Sequence, residues 1–134
     1  HSDGNDLDIL QHTEVYQTLA ELKREGKILA FGLSGKTVDG GLLALQQGDC
    51  AMVTYNLNEQ AERPVLDYAA AHGKGILIKK ALASGHAVLA GEDPVRASFE
   101  LVLGHPGVGA AIVGTINPQH LAANAATAAA VIRG

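Results

Sequence analysis

The segment GVGAAIVGTINPQHL, residues 107–121, predicts a buried strand, a tight turn and the start of a helix in direct succession. Residues 108–113 form a short apolar run, which is typical of a strand covered on both faces. Gly114 permits a sharp or left-handed turn. Asn117 is a suitable N-cap, and Pro118 suits the first helical position. The free amides of such a helix favour a phosphate, although an ordinary strand-to-helix turn explains the same residues.

Strand and helix signals alternate through the rest of the chain. Further strands are predicted at residues 27–34, 50–56 and 75–79. Helices are predicted at residues 13–25, from Thr37 to Gly48, at about 60–72, from Asp93-Pro94 through Leu103, and from Pro118 to Ile132. Strands that alternate with helices at a spacing of roughly 25 to 30 residues are the signature of a parallel α/β sheet.

The predicted fold is therefore α/β, with about four parallel strands and covering helices. A closed (β/α)8 barrel needs eight strands and about 250 residues, whereas this chain has 134. The pattern thus fits either a small open sheet or half of a barrel. Because no linker or low-complexity stretch divides the chain, residues 1–134 are predicted to form one unit.

Composition excludes several classes of function. The net charge of −4 and the small number of aromatic residues, 4%, argue against a nucleic-acid surface. No apolar run is long enough to span a membrane, and the N-terminal residues do not resemble a signal peptide. The single Cys50 fits a reducing compartment and a small core residue. These features predict a cytoplasmic protein that contacts neither nucleic acid nor membrane.

Metal binding is not predicted either. The histidines at 12, 72, 86 and 105 lack the spacing of a metal site, and there is no cysteine cluster. Asp3, Asp6 and Asp8 lack the glycine and the glutamate that a calcium loop requires. We therefore expect these three aspartates to lie in a solvated acidic loop.

Five motifs follow one another in a specific order. They are His1-Ser-Asp-Gly4, GKILAFGLSGKT (26–37), MVTYNL (52–57), ILIKKALASGH (76–86) and HPGVGAAIVGTINPQHLAAN (105–124). This succession resembles the C-terminal half of the aldo-keto reductase family, over nearly the whole chain. The resemblance implies half of a (β/α)8 TIM barrel, truncated at its N-terminus. It also implies an oxidoreductase that transfers a hydride between NAD(P)H, bound across the carboxyl-end face, and a carbonyl substrate.

The family's catalytic group consists of an Asp, a Tyr, a Lys and a His. His1 matches the histidine, and the other three belong to earlier strands. The Tyr normally donates a proton to the carbonyl oxygen, and the His orients or polarises that oxygen. The resemblance thus implies that His1 is catalytic in the complete protein and that this segment alone is inactive. Without the resemblance, His1 is simply a solvated side chain.

At the positions that would hold the nicotinamide, this chain matches the family's usual residues only in part. Ser34 matches the serine of the family's fifth-strand motif. Gly35, however, stands where an Asn often binds the nicotinamide amide, and Met52 stands where a Gln often does so. Lys79 replaces a Tyr that often stacks on the ring. These departures leave open a non-catalytic, nucleotide-binding reductase-like subunit as the alternative.

The remaining cofactor positions, for NADP or NAD, come from two motifs. Residues 80–85 are similar to a family loop that lies along the pyrophosphate, which implies roles for Lys80, Leu82 and Ser84; a solvated lysine is the alternative for Lys80. The closing motif matches positions around the adenosine: Gly114, Thr115, Ile116, Asn117, His120 and Asn124. His120 stands where NADPH-preferring members often carry a basic residue, and a hydrogen bond within the last helix is its alternative.

These implications leave three interpretations. The first is the C-terminal half of an active reductase, with a small-molecule carbonyl substrate. The second is the non-catalytic subunit. The third is a self-standing small α/β protein whose resemblance is ancestral. Because a four-strand arc leaves strand edges unpaired, we expect this segment to associate with the N-terminal half of the same barrel or with a second copy.

Overall fold

A computed structural model describes residues 1–83 and 93–134. Four parallel strands form one sheet in the order in which they follow along the chain: β1 (Gly32–Ser34), β2 (Cys50–Thr54), β3 (Gly75–Lys79) and β4 (Val108–Ala111). The register pairs Ser34 with Met52, and Thr54 with Lys79. The predicted α/β fold of about four parallel strands is therefore confirmed.

Six helices accompany the strands within these described residues: α1 (Asp6–His12), α2 (Val15–Arg24), α3 (Val38–Gln47), α4 (Arg63–His72), α5 (Pro94–Leu103) and α6 (Pro118–Arg133). Three of them begin where their capping residues predict. The Thr37 hydroxyl accepts a hydrogen bond from the Gly40 amide, and the Asp93 and Asn117 side chains accept bonds from amides of the first turns of α5 and α6. None of the six helices combines the length and the apolar character needed to span a membrane.

The main core lies between one face of the sheet and helices α3, α4 and α5. Ile76 and Ile78 of β3 are buried there with Val53 of β2. Because side chains alternate along a strand, Leu77 and Lys79 point to the other face, where both are half-buried. The helices thus cover one face of β3, and Lys79 stands on the other face at its carboxyl end.

A second core cluster connects α1 and α2 to β1. Leu10 of α1, Tyr16 of α2 and Phe31 are buried together with Leu33 and Ala44. The Tyr16 and Phe31 rings meet edge to face, with centroids 5.1 Å apart. This cluster fixes the N-terminal segment beside the first strand, which matters for the position of His1.

The expectation of a solvated acidic loop at Asp3, Asp6 and Asp8 is wrong for Asp6. Residues 6–12 form α1, and the Asp6 side chain is fully buried. Its carboxylate can leave water because four hydrogen bonds replace the lost hydration. Asp3 and Asp8 are exposed, as expected.

The predicted strand at residues 108–113 is shorter and less buried than its apolar sequence indicates. β4 ends at Ala111, and Gly109 and Ala110 are exposed because β4 is an edge strand with one neighbour. Gly114 does not adopt a left-handed conformation. The predicted strand at 27–34 likewise shortens to Gly32–Ser34. The sequence therefore located these strands correctly but overestimated their length and coverage.

Candidate functional site

A cleft of about 820 Å³ lies between the turn after β3 and the first turns of α6. It is lined by Lys79, Lys80, Ala81, Leu82, Val95, Ile112, Val113, Gly114, Thr115, His120, Ala123 and Asn124. This volume is within the range of roughly 300 to 1,000 Å³ typical of small-molecule and cofactor sites. Because its lining residues follow β3 and β4, the cleft lies beyond the carboxyl ends of these strands, where parallel α/β folds bind their ligands.

The cleft contains cations and neutral donors. Lys79 and Lys80 contribute ammonium groups, Thr115 a hydroxyl, His120 an imidazole and Asn124 an amide. None of the described residues that line it is Asp or Glu. Apolar side chains complete the walls. This donor set suits an elongated ligand that carries phosphates together with apolar or aromatic parts.

The turn at the mouth of the cleft has an unusual backbone. Lys80 has a φ of 57° and Ala83 a φ of 49°, and both lie in the left-handed region that residues with a side chain rarely adopt. Asn56 is 3% exposed, and its side-chain Nδ2 donates a hydrogen bond to the Lys80 carbonyl at 3.0 Å. The Ala83 amide donates to the same carbonyl at 2.8 Å. Strain of this kind persists only where neighbours hold it in place, and it concentrates at functional sites.

Lys79 connects this cleft to the turn after β1. Its ammonium donates to the Gly35 carbonyl at 2.6 Å and to the Ser34 hydroxyl at 3.2 Å. Burial lowers the pKa of Lys79, and the nearby Glu62 carboxylate opposes that shift. Lys79 therefore places a half-buried cation between Ser34 and the cleft.

Glu62, the residue preceding α4, is a second buried charge near Lys79. It is 6% exposed, and its Oε2 accepts the Thr54 amide at 2.9 Å. Its Oε1 has no hydrogen-bond partner in the described part of the chain. Burial raises the pKa of this carboxyl. Thus a carboxyl and an ammonium, each partly removed from water, lie near one another at the carboxyl end of the sheet.

Asp6 fixes the N-terminal segment against the same end of the sheet. Its Oδ2 accepts bonds from the Lys36 amide at 2.8 Å and from the Thr37 amide and hydroxyl at 2.9 Å each. Its Oδ1 accepts the Ser2 hydroxyl. The Ser2 amide in turn donates to the Ser34 carbonyl at 2.9 Å. These bonds place the exposed His1 directly before a residue that pairs with the end of β1.

The start of α6 differs from the expected free anion site. The Asn117 side chain accepts the amides of Gln119 at 2.9 Å and His120 at 3.4 Å. Pro118 has no amide hydrogen to offer. The first-turn amides are therefore already engaged, so the expectation of free amides is wrong. Binding of an anion here would depend on side chains such as His120 and Thr115.

The structure brings six of the predicted cofactor residues into the cleft: Lys80, Leu82, Gly114, Thr115, His120 and Asn124. Ser34 lies outside it and is reached through Lys79. Asn117 caps α6, and Ile116 is fully exposed outside the cleft lining. The His120 imidazole makes no hydrogen bond among the described residues, so the alternative interpretation of His120, a bond within the last helix, is not observed there. Ser84 lies outside the described residues.

Three residues that shape the site have no recognisable functional signal in the sequence. Asp6 and Glu62 look like surface carboxylates, and Asn56 looks like a strand-end residue. Their spacing gives no signal, because their partners are 24 to 31 residues away or lie across a turn. For Asp6, the apolar residues Ile9 and Leu10 at positions i+3 and i+4 were the one signal of a helix with a buried face. No group of acidic, histidine or cysteine side chains in the described ranges is arranged to bind a metal ion.

A parallel α/β sheet with a cation-lined cleft at its carboxyl end is typical of α/β folds that bind a ligand at this edge of the sheet. Comparison with known proteins gives the family. A profile of the Aldo/keto reductase family matches residues 3–99. The chain belongs to the aldo/keto reductase family.

Two solved structures from Pseudomonas aeruginosa, both provisionally described as aldo-keto reductase, are similar to this chain. Each is 73% identical over 98% of the chain, with TM-scores of 0.90 and 0.89. The chain spans 50% and 49% of their lengths, so it corresponds to half of such a protein. Among curated proteins, no match is found.

Proposed function

We propose that the complete protein is an NAD(P)H-dependent reductase of small carbonyl compounds and that the cleft binds the nucleotide. The observation that carries this proposal is the composition of the cleft, in which two lysines, a histidine and neutral donors meet and no carboxylate is found among the described lining residues. A dinucleotide has two phosphate charges between two ring systems, and this arrangement of cations and apolar walls complements it. Family membership supports the same chemistry.

Each part of the cleft has a distinct role in this proposal. The Lys80 ammonium, on its strained turn, donates to the pyrophosphate together with the adjacent Leu82 backbone. Thr115, His120 and Asn124 on the opposite wall bind the adenosine end. Gly114 leaves room for close approach, because a β-carbon there would meet no atom within 4 Å. Ser34 lies near the nicotinamide end.

The reduced nicotinamide supplies the hydride when it is bound. His1 orients the carbonyl oxygen from the end of the segment that pairs with β1. The proton for that oxygen comes from a tyrosine on an earlier strand, as the family resemblance implies. This division of roles requires the part of the protein that precedes the chain described here.

The exposed surface of β4 and α6 supports the proposal that an N-terminal half completes the barrel. β4 is an edge strand, and none of the residues of α6 is buried. Leu121 is 56% exposed and Ile132 71% exposed along an apolar groove between α5, α6 and β4. We propose that the N-terminal half of the barrel covers this surface, since the relatives are about twice as long. A second copy of the chain is the other occupant to test.

One set of observations favours the non-catalytic alternative. Gly35 and Met52 lack the amides that often bind the nicotinamide, and Lys79 donates to the Gly35 carbonyl. A protein with this pocket could hold the nucleotide without turnover. The self-standing interpretation is not favoured, because 73% identity over 98% of the chain relates it to longer reductases. A cytoplasmic location remains a prediction.

Nucleotide titration combined with turnover tests the proposal. The complete protein is expected to quench or shift NADPH or NADH fluorescence on binding and to oxidise the nucleotide when an aldehyde is added. Binding without oxidation across a panel of aldehydes and ketones would support the non-catalytic alternative. The absence of binding to either nucleotide would contradict both.

A further inference from the structure

Lys79 and Lys80 are consecutive but occupy different environments. Lys80 is exposed on the strained turn and lines the outer part of the cleft. Lys79 is half-buried at the end of β3, and its ammonium reaches past β2 to the Gly35 carbonyl and the Ser34 hydroxyl. Both lysines therefore line the same cleft, but the Lys79 ammonium is bonded to Ser34 and Gly35, which lie outside the cleft lining.

The charge of Lys79 is not cancelled by a contact ion pair. Both of its hydrogen-bond acceptors are uncharged, and Lys79 takes no part in the ion pairs within residues 1–83 and 93–134. The charged groups around it are the carboxylates of Glu62 and Asp6 and the ammonium groups of Lys80 and Lys36. Two negative and two positive neighbours leave its own positive charge as the net charge of the group.

Hydride transfer changes the charge of the nucleotide at one place only. A hydride leaves the nicotinamide ring for the carbonyl carbon, the carbonyl oxygen takes up a proton, and the ring gains one positive charge. The phosphates carry the same charge in both redox states. A fixed cation near the ring therefore discriminates between the two states, whereas a cation near the phosphates does not.

Resting on the proposed function, in which Ser34 lies near the nicotinamide end, we propose that Lys79 sets the redox-state preference of the site. Its ammonium, 3.2 Å from the Ser34 hydroxyl, repels the positively charged oxidised ring and leaves the reduced form favoured. Lys79 thereby favours binding of the reduced nucleotide and speeds release of the oxidised nucleotide. Lys80, which faces the phosphates, binds both redox states alike.

The magnitude follows from Coulomb's law. Two unit charges about 10 Å apart at an effective dielectric constant near 20 repel enough to change affinity by roughly an order of magnitude. We therefore expect the ratio of the Kd for NADP⁺ to the Kd for NADPH to fall at least tenfold when the Lys79 charge is removed. The carbonyl and hydroxyl partners of Lys79 are uncharged, so a glutamine at this position removes the charge and keeps an N–H donor.

The test measures both Kd values on the complete protein by isothermal titration, with NADPH and NADP⁺ as probes. Lys79→Gln should lower the ratio at least tenfold, mainly by tightening NADP⁺. Lys80→Gln, the matched control, should weaken both nucleotides by the same factor. Lys79→Arg, which keeps the charge, should keep the wild-type ratio. The NADH and NAD⁺ pair provides a second, independent ratio.

An unchanged ratio in Lys79→Gln, with both nucleotides still bound, would overturn this inference and leave the proposed function standing. An equal change of ratio in Lys80→Gln would also overturn it, because the effect would then not depend on position. If Lys79→Gln does not fold, loss of the wild-type ratio in the folded Lys79→Arg would contradict a charge effect. Failure of the wild-type protein to bind either nucleotide would overturn the proposed function itself.

Discussion

The carboxylate of Asp6 occupies the space that a side chain at position 35 would need. A β-carbon on Gly35 would lie 2.5 Å from Asp6 Oδ2, closer than real contacts allow. The family often places an asparagine at this position, whereas this chain combines a buried aspartate with a glycine. Gly35 and Asp6 are therefore coupled, and the lack of a side chain at position 35 follows from how Asp6 of α1 is bonded to the turn after β1.

This coupling predicts a non-additive pair of substitutions. Gly35→Asn alone should destabilise the complete protein by about 2 kcal/mol or more, because the new side chain overlaps a fixed carboxylate. In an Asp6→Ala background, the same change should cost at least 1 kcal/mol less, since the space is then empty. Urea unfolding of the four proteins measures the cycle. Strictly additive effects would show that the two positions do not compete for space.

Asp6→Asn should lower stability at neutral pH by about 2 to 4 kcal/mol, because an amide nitrogen would face donors where a carboxylate oxygen now accepts. Asp8→Asn, on the exposed face of the same helix, is the control and should change stability by less than about 0.5 kcal/mol. Denaturation of the complete protein in urea gives both values. Equal effects of the two substitutions would contradict the role assigned to Asp6.

The same aspartate predicts how stability depends on pH. Burial by itself would raise the pKa of Asp6, but hydrogen bonds from Ser2, Lys36 and Thr37 outweigh it and hold the pKa below its ordinary value of 3.8. The folded pKa is therefore lower than the unfolded one. The resulting stabilisation is present above pH 3.8 and is lost as the pH falls through the folded pKa. Asp6→Asn should accordingly flatten the acid limb of a stability–pH curve.

The strained turn predicts that stability and binding can be separated. Lys80→Gly should stabilise the complete protein by about 1 kcal/mol, since glycine adopts a positive φ without a steric penalty, yet it should weaken nucleotide binding about tenfold. Ala83→Gly relieves the same kind of strain without removing a charge, so it should stabilise similarly and leave affinity unchanged. Thermal unfolding and NADPH titration measure the two effects. Unaltered affinity in Lys80→Gly would remove Lys80 from the binding site.

Gly114→Val tests the cleft without disturbing the fold. A β-carbon at Gly114 meets no atom within 4 Å, so the substitution should leave stability nearly unchanged. It would narrow the space between the ligand and the turn after β4, and we expect NADPH to bind at least tenfold more weakly, about 1.4 kcal/mol. Titration of a variant with an unchanged melting temperature is the measurement. Wild-type affinity would place the nucleotide elsewhere.

The local sequence predicted those parts of the fold that local chemistry determines. The caps at Thr37, Asp93 and Asn117 marked helix starts, and the apolar run at residues 75–79 marked a complete strand. The length of β4 was overestimated because its burial depends on a neighbour that the four-stranded sheet does not supply. α1 was missed because its short segment holds two acidic residues, and one of them, Asp6, is buried mainly through partners about 30 residues away.

In the candidate site, too, local sequence predicted some residues, whereas residues placed by distant contacts were missed. Six of the residues that line the cleft were predicted through the order of the motifs, since the turns after β3 and β4 meet at one edge of the sheet. The residues that support the turns around the cleft, without lining it, were not predicted. Asn56 holds the Lys80 carbonyl, and Asp6 holds the turn after β1, through contacts that depend on tertiary packing. Their polarity alone gives no sign of burial.

A crystal structure of the complete protein with bound NADP⁺ would show directly whether the cleft holds the nucleotide. We predict the nucleotide in the cleft between the turn after β3 and α6, with Lys80 at its phosphates and Ser34 near its nicotinamide. We also predict that the N-terminal half covers the exposed surface of β4 and α6. A nucleotide bound away from Lys80 and Thr115, or a cleft filled by the protein's own N-terminal half, would show that the cleft is not the nucleotide site.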